Sequence, residues 1–169
     1  SLMGFLGNEL FKYAFGRRTA LFNNTELKLD LSLYGQNIPG TTARHYSLAD
    51  FATIQDAASP QEIAAYTESF LDKIKPVGKK KHLKQEGFEF RPEFLTIGPN
   101  AYLEGYWQSE KYFKDIEPTI RQEIRLRSPL SDYAKELAEK IKNTHSVSVH
   151  FRRGDYVSDP KTNTFHGIC

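Results

Sequence analysis

The 169-residue chain predicts an α/β fold with helices layered over parallel strands. Three observations carry this. Apolar residues alternate at period two around residues 27–31 and 147–151, they recur at helical spacing around residues 10–22, 63–74 and 130–141, and the two kinds of segment take turns along the chain. Strands interleaved with helices are the pattern of a three-layer sheet whose ligands meet the carboxyl ends of the strands.

Gly4, Gly7 and Asn8 form a glycine-bearing entry to a helix with Leu10, Phe11, Ala14, Phe15, Leu21 and Phe22 at its apolar positions, and Asn8 is the N-cap candidate. Such a turn offers backbone N–H groups to an anion or is only a turn, and the residues alone leave both readings open. Leu27, Leu29 and Leu31 alternate with Lys28 and Asp30 as a strand with one buried face. Gly35, Pro39 and Gly40 mark a loop, and residues 41–52, with Arg44, His45 and Tyr46, read as an edge strand or a binding loop. Ser59, Pro60, Gln61 and Glu62 spell a capping box with proline at the first helical position, followed by a stripe of Ile63, Thr67, Phe70, Leu71 and Ile74. Pro76 and Gly78 close that helix.

The basic run of Lys79, Lys80, Lys81, His82 and Lys84 lacks interleaved aromatics and reads as a solvated loop. Phe88 and Phe90 suggest a short strand, and residues 102–107 another, ending at Trp107 and Gln108; there the indole packs in the core in preference to stacking on a sugar. Ser109 is placed to cap a helix bearing Tyr112, Phe113 and Ile116, and Pro118 to start one bearing Ile120 and Ile124. Ser128 and Pro129 open a further helix with Leu130, Tyr133, Ala134, Leu137, Ala138 and Ile141, which Asn143 ends.

The last strand runs through residues 146–151 with Val147, Val149 and Phe151 on one face, and delivers His150, Arg152, Arg153, Gly154 and Asp155 to a loop. An arginine there presents a planar fork that matches two phosphate oxygens, and Asp155 is placed to hold it. On spacing alone this loop is an anion site or a solvated surface turn. A cell-adhesion reading of Arg153-Gly154-Asp155 finds no other extracellular feature to support it.

Lys and Arg total 23 against 21 Asp and Glu, so a net charge of +2 supplies no global field for nucleic acid. The single cysteine, Cys169, asks for no oxidising compartment, and neither a transmembrane-length apolar run nor a signal-peptide pattern is present. These features point to the cytoplasm, with at most a peripheral association with a membrane. Twelve Phe, nine Tyr and one Trp suit a generous core or a carbohydrate-facing cleft.

GFLGNELFKYAFGR, ELKLDLS, YLEGYWQSEKYFKDIE, SVSVHFRRGDYV and FHGIC, in this order, resemble the α-1,2-fucosyltransferases of glycosyltransferase family 11. The resemblance implies a GT-B-like fold with Rossmann-like αβα layers. It also implies inverting, metal-independent transfer of L-fucose from GDP-fucose to a galactose hydroxyl of a glycan, with no cofactor. It places His150, Arg152 and Arg153, with Gly7 and Asn8, at the donor, and gives the catalytic roles to Arg152, at the β-phosphate, and Asp155. The chain departs from the family's Gly-Gly-x-Gly-Asn-Gln pattern at Phe5 and Glu9.

On the same basis residues 1–144 are expected to form an acceptor-side domain. Residues 145–169 are expected to form the first strand and arginine loop of a truncated GDP-fucose-binding domain. Little or no turnover is expected of this stretch alone. A non-catalytic domain that holds a nucleotide diphosphate or a glycan is the alternative.

Overall fold

The computed structural model describes residues 1–36, 45–66, 75–149 and Thr164, and the chain divides into two compact units, Ser1–Ser128 and Pro129–Cys169. Within the first unit, Gly4 has φ +114°, and a Cβ on it would lie 2.8 Å from Asn8 Cβ, so only glycine suits this turn into α1, Leu6–Phe22. Phe5 is the N-cap residue, with extended backbone and no side-chain cap bond. Asn8, expected as the cap, instead sits inside the first turn, because the turn at Gly4 starts the helix early and the Asn8 amide is engaged by Gln108.

Two cores share α1 as a wall. Tyr13 and Ala14 join Leu2, Leu29, Leu48 and Ile120 in one, while Phe15 joins Leu83, Phe94, Ile97, Trp107 and Tyr112 in the other. Burial on both sides takes in polar residues as well, each with partners. Arg18 pairs with Asp115 at 3.0 Å and donates to the Leu95 carbonyl, and Thr19 Oγ1 donates to the Phe15 carbonyl. Leu21 and Phe22, expected on the buried stripe, lie past the core and are exposed.

β1 (His82–Lys84) and β2 (Tyr102–Glu104) pair in parallel, with Leu83 opposite Leu103. On the far side of β2 the Leu103 carbonyl accepts from the Ser1 amino group, Leu2 N–H donates to the Asp30 carbonyl, and Leu29 makes a parallel bridge with Ala57. Residues 1–3 thus form an inner segment hydrogen-bonded to Asp30 on one side and to β2 on the other. The α/β expectation holds at this level: helices with a small parallel sheet.

Where the strands fall differs from the local pattern. The alternation at Leu27, Leu29 and Leu31 does put all three on the first core, but pairing is confined to Leu29. Phe88 sits in a bend, not a strand, and the basic run read as a loop contains β1. Burial of Leu83 outweighs the flanking charge, and Glu104 across the pair takes up both His82 (3.0 Å) and Lys84 (2.9 Å). β2 stops at Glu104 because the chain turns at Gly105, where a Cβ would come within 2.6 Å of Gln85 Cβ, and Trp107 follows at φ +53°.

The capping box forms as expected at α2, Pro60–Ala64, with both reciprocal bonds; Thr67, Phe70, Leu71 and Ile74 of its stripe lie outside the described residues, as do Pro39, Gly40 and Arg44. After Ser109 the chain makes two 3₁₀ turns, Glu110–Tyr112 and Lys114–Ile116, instead of one helix, because Phe113 between them leaves helical backbone at φ −143°. Pro118 then opens the helix Glu117–Glu123, which buries Ile120.

In the second unit the helix is Asp132–Lys142 and its cap is Ser131, whose hydroxyl accepts from Ala134 N–H, so Leu130 falls before the helix instead of within it. Asn143 ends it, as expected. Val147 and Val149, expected on a buried strand face, are 89% and 68% exposed. An alternating segment buries a face only against a partner, and none is paired with them among the described residues. No helix among the described residues is long and apolar enough to cross a membrane.

Candidate functional site

Three loops leave the same edge of the sheet. Residues 4–8 follow the inner segment, residues 105–108 follow β2, and residues 85–88 follow β1. This is the carboxyl edge of the β1–β2 pair. The first turn of α1 points its N-terminus here, and helix geometry leaves the N–H groups of Leu6, Gly7 and Asn8 without intrahelical carbonyls.

Gly7 is exposed, and a Cβ on it would meet nothing within 4 Å. Packing thus gives no reason for glycine at this position. Phe5, which stands where the resembled pattern has glycine, has φ −96° and ψ 171°, ordinary extended backbone that needs no glycine. Asn8 Oδ1 accepts from Gln108 Nε2 at 2.6 Å and so ties the first loop to the second.

Glu9 brings no free charge to this edge. It is fully buried, with Oε1 accepting from the Tyr34 hydroxyl at 2.8 Å and Oε2 accepting from the N–H groups of Ser47 (3.0 Å) and Leu48 (3.1 Å). The carboxylate caps the 3₁₀ turn Ser47–Asp50, satisfying donors that would otherwise be orphaned. Sequence reasoning missed this role, because the partners lie 25 and 38 residues away.

The second and third loops are stapled together by Gln85. Its Oε1 accepts from Tyr106 N–H at 2.9 Å and Trp107 N–H at 2.8 Å. Trp107 is buried against Phe15 and Phe94, as the core reading expected. Tyr106 faces Phe88, ring centroids 5.6 Å apart at 34°, and Lys12 Nζ lies 4.7 Å from the Tyr106 centroid.

On the sheet itself Tyr102 donates its hydroxyl to Asp30, fixing the inner segment's neighbours. Burial pushes the Asp30 carboxyl up, but the hydrogen bonds from Tyr102 and Ser32 outweigh it and hold the group below its ordinary value. The Lys84 ammonium, then His82, holds Glu104 low as well.

A cavity of about 470 Å³ opens at the opposite, amino edge, lined by residues such as Asn23, Thr25, Lys28, Asn100 and Tyr102. Leu2, Leu29, Leu103 and, from the second loop, Trp107 also line it.

Of the residues expected at the site, Gly7 and Asn8 lie together at the carboxyl edge. His150, Arg152, Arg153 and Asp155 lie outside the described residues.

A family model described as glycosyl transferase family 11 matches residues 77–169. An Escherichia coli protein named alpha-1,2-colitosyltransferase is 32% identical over 179 residues, an alignment that takes in 99% of this chain and 58% of that protein. The chain thus spans a little over half the length of the curated relative it matches. No solved structure matches it.

Proposed function

Because the chain belongs to glycosyl transferase family 11, we propose that the protein carrying it transfers a 6-deoxyhexose from a GDP-linked donor to a galactose hydroxyl of a glycan. On this reading the sugar is L-fucose, the linkage α-1,2, and the reaction an inverting displacement without a metal. The acceptor oxygen attacks the anomeric carbon as its bond to the β-phosphate oxygen breaks, and GDP leaves with the electron pair.

Arg152 offers its fork to the β-phosphate, and Arg153 adds a second guanidinium. His150 and Asp155 orient the pair, and the charge developing on GDP is met by fixed donors. Asp155 is also the candidate base for the acceptor proton. Gly7 and Asn8, in the first turn of α1, are the donor-binding candidates of the first unit.

Residues 1–144 then serve as the acceptor-side domain of a GT-B-like enzyme with Rossmann-like αβα layers. Residues 145–169 open its donor domain. The single observation behind this reading is the match over residues 77–169, which includes HFRRGDY.

A second reading of the donor sugar has its own observation, the relative named for colitose. Colitose is L-fucose without the 3-hydroxyl, so the two donors differ by one polar group. A site that hydrogen-bonds that hydroxyl strongly rejects the analogue lacking it.

Initial rates with GDP-L-fucose and GDP-colitose on a galactoside, in the longest natural polypeptide that carries this sequence, decide between them. Arg152→Ala is expected to abolish transfer with either donor, and Arg152→Lys to restore little, because the fork is lost. Equal activity of Lys and Arg at position 152 would remove the bidentate role.

A further inference from the structure

At the carboxyl edge, Phe88 stands 62% exposed in a bend that follows β1, next to Gly87 at φ +75°. A phenyl ring held in water forgoes the favourable burial it has in a core, so the backbone here presents the ring without giving it shelter. Its neighbour is Tyr106, with ring centroids 5.6 Å apart and planes inclined at 34°.

Both rings are tied down: beside Phe88, the Glu89 carbonyl accepts from the Tyr112 hydroxyl at 3.3 Å. Gln85 Oε1 holds the N–H groups of Tyr106 and Trp107 at 2.9 and 2.8 Å, and Gly105 lies against Gln85 so closely that a Cβ would clash. Lys12 lies over the Tyr106 ring. Two residues past Tyr106, the Gln108 amide meets Asn8, so hydrogen-bonding groups border the aromatic surface.

We infer that Phe88 and Tyr106 form the platform on which the acceptor's pyranose ring stacks. A hexopyranose is uncharged and has one face of C–H groups and a rim of hydroxyls. It therefore matches a fixed aromatic surface bordered by amides, where the rings take the apolar face and the amides compete with water for the hydroxyls.

A flat nucleobase would stack as well, and in that case Phe88→Ala would raise the donor KM in place of the lactose KM. The inference rests on the galactoside-transfer reading and adds to it the residues that hold the acceptor.

The test is steady-state kinetics of Phe88→Ala and Phe88→Trp, in the longest natural polypeptide that carries this sequence, with lactose and the donor varied in turn. Phe88→Ala is expected to raise the lactose KM about five- to tenfold and to leave the donor KM unchanged, as loss of one stacking partner predicts. Phe88→Trp should bring the lactose KM back to within about twofold. A lactose KM unmoved by Phe88→Ala, or a rise in the donor KM in its place, overturns the platform while wild-type transfer keeps the transferase reading intact. Absence of wild-type transfer to lactose and other galactosides overturns both.

Discussion

Glu9 is a carboxylate in the first turn of a helix, a place where the helix dipole alone would account for it. Its three hydrogen bonds give it a different task. It joins α1 to Tyr34 and to the N-terminus of the turn Ser47–Asp50, and it does so without exposure to solvent. Glu9→Ala should cost about 2–3 kcal/mol, since it takes the acceptor from the buried Leu48 N–H and the half-buried Ser47 N–H. Glu9→Gln should cost under about 1 kcal/mol, because the amide oxygen still accepts from the backbone and the amide nitrogen can donate to Tyr34. Urea unfolding of the three proteins checks this, and equal losses for Ala and Gln would mean that the charge, not the bonding pattern, matters. At this scale the sequence was informative where the reason for a residue is local. Gly4 and Gly7 mark the turn into α1, although the cap proved to be Phe5 and not Asn8. The bond from Gln108 to Asn8 spans 100 residues of chain and leaves no trace in either local pattern.

The same division holds for elements. The capping box at α2 was legible because all its atoms come from consecutive residues, and it forms with Glu62 accepting from Ser59 N–H at 2.8 Å. β1 was not legible, since a single leucine within a basic run becomes a strand only once Tyr102–Glu104 is beside it. At α2 the bonding has a pH signature. The Lys28 ammonium, 2.5 Å away, and then the Ser59 N–H and hydroxyl hold the Glu62 carboxyl at about 2, below its ordinary 4.5. A depressed carboxyl contributes stability that is fully present above the unfolded value and is lost as pH falls through the folded one. The start of α2 should therefore fray between pH 4.5 and about 2, seen as loss of amide protection at Glu62 and Ile63. Glu62→Gln should flatten that step, and persistence of the step in this variant would assign it to another group. The exposure of the pair keeps the effect local and salt-sensitive.

For the whole molecule, the alternation of strand and helix foretold an α/β chain, but not how its hydrophobic residues would be shared out. Both buried clusters, with α1 between them, draw all their buried members from the first unit, Ser1–Ser128. The second unit presents Tyr133, Leu137 and Ile141 at 76%, 42% and 52% exposure on one side of its helix, spaced four residues apart, and none of its described residues is buried. Apolar spacing along a helix records that a face is to be covered, without recording by what. That is why the sequence placed Val147 and Val149 on a buried strand and the structure leaves them in solvent. Burial of apolar surface is the main favourable term in folding, so the stability of the described residues resides in the first unit. A polypeptide of residues 1–128 should then unfold cooperatively, with a midpoint within a few degrees of that of the 169-residue chain. Calorimetry of the two checks it. A broad, non-cooperative transition in the shorter polypeptide would mean that residues 129–169 supply part of the core, and the division of labour drawn from the two clusters would fall.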